Sequence, residues 1–221
     1  LEDPDGTLWI ATSRGLARRG PDGRIAAVEV PGARSERLRG LCRGRDGSLW
    51  VGSDLGVIRL EAGAGRPLGA ADGLASERIH TLAADRDGNV WAATAAGVCR
   101  VGASISCLAG TGPIAPAPAF PILEDDMGDL WFGTAGGGLH RLSDSAFRVF
   151  GRPEGLPTNA VLAFLESRDG LIWIGTFGAG VAVLEGGRVS RSFTRGDGLP
   201  DDTVVSLHEG RDGTVWVATK G

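Results

Sequence analysis

The chain has 221 residues, 42% of them hydrophobic, with 23 Lys+Arg against 27 Asp+Glu for a net charge of −4. No basic block or basic-aromatic stripe interrupts it, which argues against nucleic acid and anionic membrane surfaces as partners. Neither a run of 18 apolar residues nor a signal peptide is present, so any membrane attachment would come through segments outside this chain.

Glycine is the outlier, at 37 residues or about 17% against roughly 7% on average, and its even spread predicts many turns. From the start, Leu1 opens the chain in mid-motif and without methionine, which predicts a piece of a longer protein. Residues 1 to 30 predict strands two to four of a first sheet, with a turn at Asp5-Gly6, a strand carrying Trp9 and a second turn at Gly15-Leu16. The same order returns at Trp50, Trp91, Trp131, Trp173 and Trp216. The intervals of 41, 41, 40, 42 and 43 residues match one four-stranded propeller blade.

Three residues before each tryptophan stands glycine (Gly6, Gly47, Gly88, Gly128, Gly170, Gly213), preceded by aspartate everywhere but at Met127. Asp-Gly predicts a two-residue type I′ hairpin joining strands one and two. Two residues after each tryptophan comes alanine or glycine, small enough to admit a neighbouring blade. Three after comes Thr or Ser, whose hydroxyl can satisfy backbone groups at the strand end. Gly56-Val57, Gly97-Val98, Gly138-Leu139 and Gly180-Val181 predict the next turn. Strand three follows, as at Val181 to Leu184, and strand four, as at Arg188 to Phe193 after Glu185-Gly186-Gly187.

A connection on Gly73-Leu74, Gly155-Leu156-Pro157 or Gly198-Leu199-Pro200 then crosses to the innermost strand of the following blade, such as Val161 to Leu165; Gly32 stands at the same offset. The proline-rich stretch from Pro113 to Pro121 predicts the least typical crossover. Residues 198 to 221 predict strands one and two of a last sheet. The fold expected is all-β, a β-propeller fragment forming one domain over residues 1 to 221, with about five four-stranded blades in an open arc. Its exposed sheet faces predict self-association or cover by residues outside the chain.

The phrases Gly155-Leu-Pro-Thr-Asn-Ala-Val and Gly198-Leu-Pro-Asp-Asp-Thr-Val, each followed by Asp-Gly-x-(Ile/Val)-Trp-(Ile/Val)-(Gly/Ala)-Thr, resemble the two-component regulator propeller repeat. The resemblance implies the periplasmic sensor part of a membrane-anchored bacterial signalling protein whose cytoplasmic end is a histidine kinase or a diguanylate cyclase. Its partner would be an unidentified small molecule or saccharide, or a partner domain. Two alternatives stand beside this non-enzymatic reading: a propeller enzyme of streptogramin-lyase or glycosidase type, and a structural spacer that sets a dimer geometry.

Candidate chemistry is sparse. Gly133-Thr-Ala-Gly-Gly-Gly-Leu and Gly175-Thr-Phe-Gly-Ala-Gly look like phosphate loops, but each falls at the blade turn that recurs throughout, and no helical pattern follows. Glu124-Asp125-Asp126 and Asp85/Asp87 sit on the hairpin and lack further calcium ligands, so they read as solvated turns. His80, His140 and His208 fall at different blade positions and read as structural; no metal or cofactor is expected. The tryptophans, one per blade at one buried position, read as packing.

Cys42, Cys99 and Cys107 read as buried free thiols. A two-residue turn at Gly102-Ala103 would set Cys99 opposite Ser106, so a Cys99–Cys107 bridge would need a bulge. Fourteen residues before the tryptophans stand Glu36, Glu77, Asn159 and Asp202, with Ala117 the exception, and Arg37 and Arg78 follow directly. The turn between strands two and three adds Arg14, Asp54, Phe177 and Lys220. These crossover-end residues are the ligand-binding candidates, although short polar side chains there can equally cap the turn.

Overall fold

In the computed structural model, residues 1–33, 37–61, 63–108, 117–143 and 146–221 are described. They divide into two compact units, Leu1–Ala109 and Gly110–Gly221. Each unit is built of antiparallel sheets whose strands follow in chain order.

The first unit holds three sheets: β1 (Leu8–Thr12), β2 (Gly15–Arg19) and β3 (Ile25–Val28); β4 (Leu38–Arg43), β5 (Leu49–Ser53), β6 (Gly56–Glu61) and β7 (Ala64–Leu68); and β8 (Ile79–Ala84), β9 (Val90–Thr94), β10 (Gly97–Val101) and β11 (Ile105–Cys107). The second unit holds β12 (Ala119–Glu124), β13 (Leu130–Thr134), β14 (Gly138–Ser143) and β15 (Ala146–Phe150); β16 (Val161–Glu166), β17 (Ile172–Thr176), β18 (Val181–Glu185) and β19 (Arg188–Phe193); and the pair β20 (Val204–Glu209) and β21 (Val215–Thr219). The described residues thus form four complete sheets, one of three strands and one of two, about five blades as the period predicts.

The tryptophan strand lies second in each complete sheet and is buried along its whole length in β5, β9 and β13. Within each unit the neighbouring sheet packs over it. In the first unit, Trp50, Val57 and Leu68 of one sheet share a core with Ile79, Leu82 and Val90 of the next. The small residue two after tryptophan makes this possible. A Cβ on Gly52 would lie 2.6 Å from Ile79 Cγ2, and in the second unit a Cβ on Gly133 or Gly175 would lie 2.6 Å from Val161 or Val204. The Thr or Ser that follows behaves as expected: in the first five repeats its hydroxyl donates to the carbonyl of Gly15, Gly56, Gly97, Gly138 or Gly180 at 2.8–3.1 Å.

The Asp-Gly hairpin differs from the expectation. Gly47 N donates to Gly44 O at 2.9 Å and Gly44 N to Ser48 O at 2.8 Å, with Gly47 left-handed at φ 83°. This is a three-residue loop closed by a glycine bulge rather than a two-residue type I′ turn. Aspartate serves through its carboxylate instead, Asp46 Oδ1 accepting Ser48 N at 2.9 Å. A two-residue turn with both residues left-handed does occur at Gly186 and Gly187, between the paired Glu185 and Arg188.

The cysteine expectation fails for the same kind of reason. Gly102-Ala103-Ser104 makes a three-residue loop, so Cys99 pairs directly with Cys107 and the two form a disulfide. Leu108 N donates to Val98 O at 2.8 Å, which marks Cys99 and Cys107 as a non-hydrogen-bonded pair, the closer kind in an antiparallel ladder. Cys42 is a buried free thiol, and burial pushes it up to about 12. Reduction of the disulfide is expected to lower unfolding stability by about 2 kcal/mol, the low end for so short a loop. Urea titrations with and without dithiothreitol measure this, and coincident midpoints would refute it.

The tryptophans do not all share one burial state. Trp50, Trp91 and Trp131 are buried, whereas Trp216 is 65% exposed because its sheet stops at two strands. Asp87 and Asp126 are exposed, as a solvated turn requires, but Asp85 and Asp125 are not: in four repeats the residue six before tryptophan accepts the indole N–H. Trp9 donates to Asp3 at 2.7 Å, Trp91 to Asp85 at 2.8 Å, Trp131 to Asp125 at 2.7 Å and Trp173 to Ser167 at 3.2 Å. Asp125, 5% exposed, also accepts the N–H groups of Met127 and Asp129. Asp125→Ala strands these donors and is expected to cost about 2 kcal/mol. Thermal unfolding checks it, and an unchanged melting temperature would count against the indole anchor.

Candidate functional site

Each sheet has two ends. At one lie the Asp-Gly hairpins; at the other the crossovers meet the turns between strands two and three. The hairpin end of the first unit carries two clefts. One, of about 360 Å³, lies between the first and second sheets and is lined by Trp9, Arg43, Leu49 and Leu60; the other, of about 280 Å³, lies between the second and third. Two of their arginines are engaged in the scaffold: Arg43 bonds Asp3 in the preceding sheet, and Arg59 bonds Asp46 while lying over Trp50.

The crossover end has a repeated construction that sequence reasoning missed. Each of three crossovers contains one turn of 3-10 helix, Ala70–Asp72, Arg152–Glu154 or Arg195–Asp197, closed by Gly73, Gly155 or Gly198 in the left-handed conformation. The polar residue fourteen before tryptophan reaches back to that helix. Glu77 Oε1 accepts Ala70 N at 3.1 Å, Asn159 Oδ1 accepts Arg152 N at 3.0 Å and Asp202 Oδ1 accepts Arg195 N at 2.7 Å. The carbonyls of the same residues accept Gly56, Gly138 and Gly180 N at 2.8 Å each, tying the crossover to the turn of the sheet it leaves. Glu77, Asn159 and Asp202 therefore hold the end of the sheet together. Glu36 lies outside the described residues.

A second regularity is a bulge in the innermost strand. Leu38 pairs with Ser53 and Gly40 with Gly52, leaving Arg39 as the extra residue; His80, Leu162 and Val205 hold the same place in β8, β16 and β20. A bulge frees one side chain from the strict alternation of the strand and re-aims it. In β12 the irregularity spans Phe120 and Pro121.

In the first unit the bulge residue meets two of the predicted positions. Arg39 Nε donates to Asp54 Oδ1 at 2.7 Å, and Arg78, from the next sheet, brings its Nε within 3.9 Å of the same oxygen. The Arg39 hydrogen bond holds the Asp54 carboxyl below the usual carboxylate range against the opposing effect of burial, and the charges of Arg39, Arg78 and Arg37 add to the lowering. Arg37, Asp54 and Arg78 were legible as candidates; Arg39 was not. Arg14 is exposed on the corresponding turn of the first sheet, its backbone N–H donating to Thr12 Oγ1. In the second unit Phe177 is 57% exposed, and Lys220 is exposed at the same turn position one repeat later. Among the described residues no group of three or more His, Cys, Asp or Glu side chains could hold a metal ion, and no helix is long and apolar enough to cross a membrane.

Repeated antiparallel four-stranded sheets, joined strand four to innermost strand and packed face to face, define blades of a β-propeller. Three stretches, residues 73–96, 155–178 and 198–221, match the two component regulator propeller repeat, so the chain carries repeats of that family. No curated protein sequence matches it significantly.

Among solved structures, an extracellular domain attributed to a hybrid two component system of B. thetaiotaomicron is 18% identical. The match covers 99% of this chain and 37% of that one, with a TM-score of 0.71. Virginiamycin B lyase from Staphylococcus aureus is 14% identical over 98% of this chain and 75% of its own, with a TM-score of 0.80. PorZ, a surface component of the type-IX secretion system of Porphyromonas gingivalis, is 13% identical over 100% and 37%, with a TM-score of 0.75. At these identities the likeness is one of fold, and the chain spans little more than a third of the first and last of these structures.

Proposed function

We propose that this chain is the extracytoplasmic, non-catalytic sensor segment of a membrane-anchored bacterial signalling protein, recognising a small molecule, a saccharide or a partner domain at its crossover end. The three matches to the two component regulator propeller repeat carry this reading. The Cys99–Cys107 disulfide supports it independently, because such bonds persist in oxidising compartments and are rare in the cytosol. The output domain would be a histidine kinase or a diguanylate cyclase beyond Gly221. Alkaline phosphatase fused in frame after Gly221 in the parent gene is the test. An active fusion is expected, since the phosphatase needs an oxidising compartment; an inactive but intact fusion overturns the extracytoplasmic assignment.

A lyase-type enzyme is the second reading, supported by the fold likeness to virginiamycin B lyase, of which a His-to-Ala variant is described as catalytically inactive. His80, the bulge residue of β8, is this chain's candidate for such a role. Turnover of a streptogramin that His80→Ala abolishes would establish it.

A further inference from the structure

The charged cluster at the crossover end of the first unit is not required by the fold. The residue four after tryptophan donates its N–H to the carbonyl of the residue thirteen before it, as from Ala95 to Arg78, Ala135 to Pro118, Phe177 to Ala160 and Lys220 to Thr203. These bonds form whatever the side chains are. Alanine, phenylalanine and lysine serve at the first position, and arginine, proline, alanine and threonine at the second. The bulge position likewise accepts His80, Leu162 and Val205. Only the second sheet fills its turn with Asp54, its bulge with Arg39 and the facing position of the next sheet with Arg78.

Arg39 and Arg78 both approach the carboxylate of Asp54, and the charge of Arg37 also reaches it. Asp54 is largely covered, at 18% side-chain exposure, whereas Arg39 and Arg78 keep 42% and 60%. The carboxylate thus lies beneath and the guanidiniums face solvent. A guanidinium whose Nε is held by a carboxylate presents a planar fork with its orientation already set, which suits an oxyanion.

We propose that Arg39 and Arg78, positioned by Asp54, bind an anionic group of a small ligand: a carboxylate, sulfate or phosphate. The proposal rests on the crossover end being the recognition end. The probes are inorganic sulfate and citrate, titrated into the full chain at constant ionic strength set by NaCl and followed through the arginine Nε–H resonances in 15N NMR. Saturable shifts at Arg39 and Arg78 are expected. Affinity should fall at least tenfold in Arg39→Gln and in Arg78→Gln, fall less in Arg39→Lys, and stay unchanged in Arg191→Gln on the outer strand β19. Melting temperatures confirm that the variants fold.

Shifts that never saturate, that NaCl alone reproduces, or that survive both glutamine substitutions overturn the site. The two readings fail separately. Saturable binding with an inactive phosphatase fusion removes the extracytoplasmic assignment and leaves the anion site; no saturable binding with an active fusion removes the anion site alone.

Discussion

Gly180→Ala is expected to destabilise the protein by about 4 kcal/mol, whereas Gly178→Ala, two residues away in the same turn, costs about 1 kcal/mol. Both glycines are left-handed, at φ 75° and φ 74°, so an alanine pays a similar conformational penalty at either place. They differ in surroundings. A Cβ at residue 178 meets nothing within 4 Å, whereas at residue 180 it would lie 2.0 Å from Phe193 O and 3.0 Å from its carbonyl carbon. The obstacle is backbone, and it cannot rotate away. Relief requires β18 and β19 to part at Val181 and Phe193, or the turn to lift from Asp202, whose carbonyl accepts Gly180 N at 2.8 Å. Gly56 and Gly138 face the carbonyls of Leu68 and Phe150 in the same way. Urea unfolding of the two variants measures the difference, and equal midpoints would refute the close-approach argument.

Acidification should expose a second weakness, at His140. The residue facing tryptophan's neighbour across β13 and β14 is His140, where the other complete sheets have Ile58, Cys99 and Ala182, all buried. It lies 1% exposed, stacked on Phe132 at 5.0 Å, with Nε2 3.3 Å from Thr134 Oγ1 and Nδ1 without a hydrogen-bond partner among the described residues. Burial lowers its pKa from 6.5 to about 4, so the folded protein keeps it neutral. Between those values the unfolded chain takes up a proton that the folded chain refuses. Stability is therefore full above pH 6.5 and falls as pH drops, by about 3 kcal/mol at pH 4. His140→Phe, which restores an apolar side chain to an apolar place, should remove this component. Unfolding free energies at pH 7 and pH 4 for both proteins test it; parallel pH profiles would mean that His140 protonates without unfolding.

The blade period, the small residue beside each tryptophan and the hydroxyl after it were legible in the sequence because each answers a steric or hydrogen-bonding demand that recurs in every sheet. Loop length was not. One residue at Ser104 decides whether Cys99 faces Ser106 or Cys107, and nothing local to Gly102-Ala103 reports it. The indole acceptor was legible in principle, since Asp3, Asp85, Asp125 and Ser167 recur six residues before tryptophan, but Gly44 and Gly210 at the same place in the other two repeats interrupt the pattern. At the candidate site Arg37, Asp54 and Arg78 could be read as loop residues, whereas Arg39 sits in a strand, where alternation predicts only an inside or an outside. Its departure from alternation depends on pairing with Ser53 and Gly52, which lies beyond the reach of a single strand's pattern.

That departure makes the innermost strand a mounting with an interchangeable fitting. The flanking pairs, Leu38 with Ser53 and Gly40 with Gly52, belong to the scaffold, and their pairing does not depend on which side chain stands between them. If the proposed site is right, a lineage built on this repeat can exchange arginine for histidine, leucine or valine at that place, as β4, β8, β16 and β20 do, and change its ligand without renegotiating how it folds.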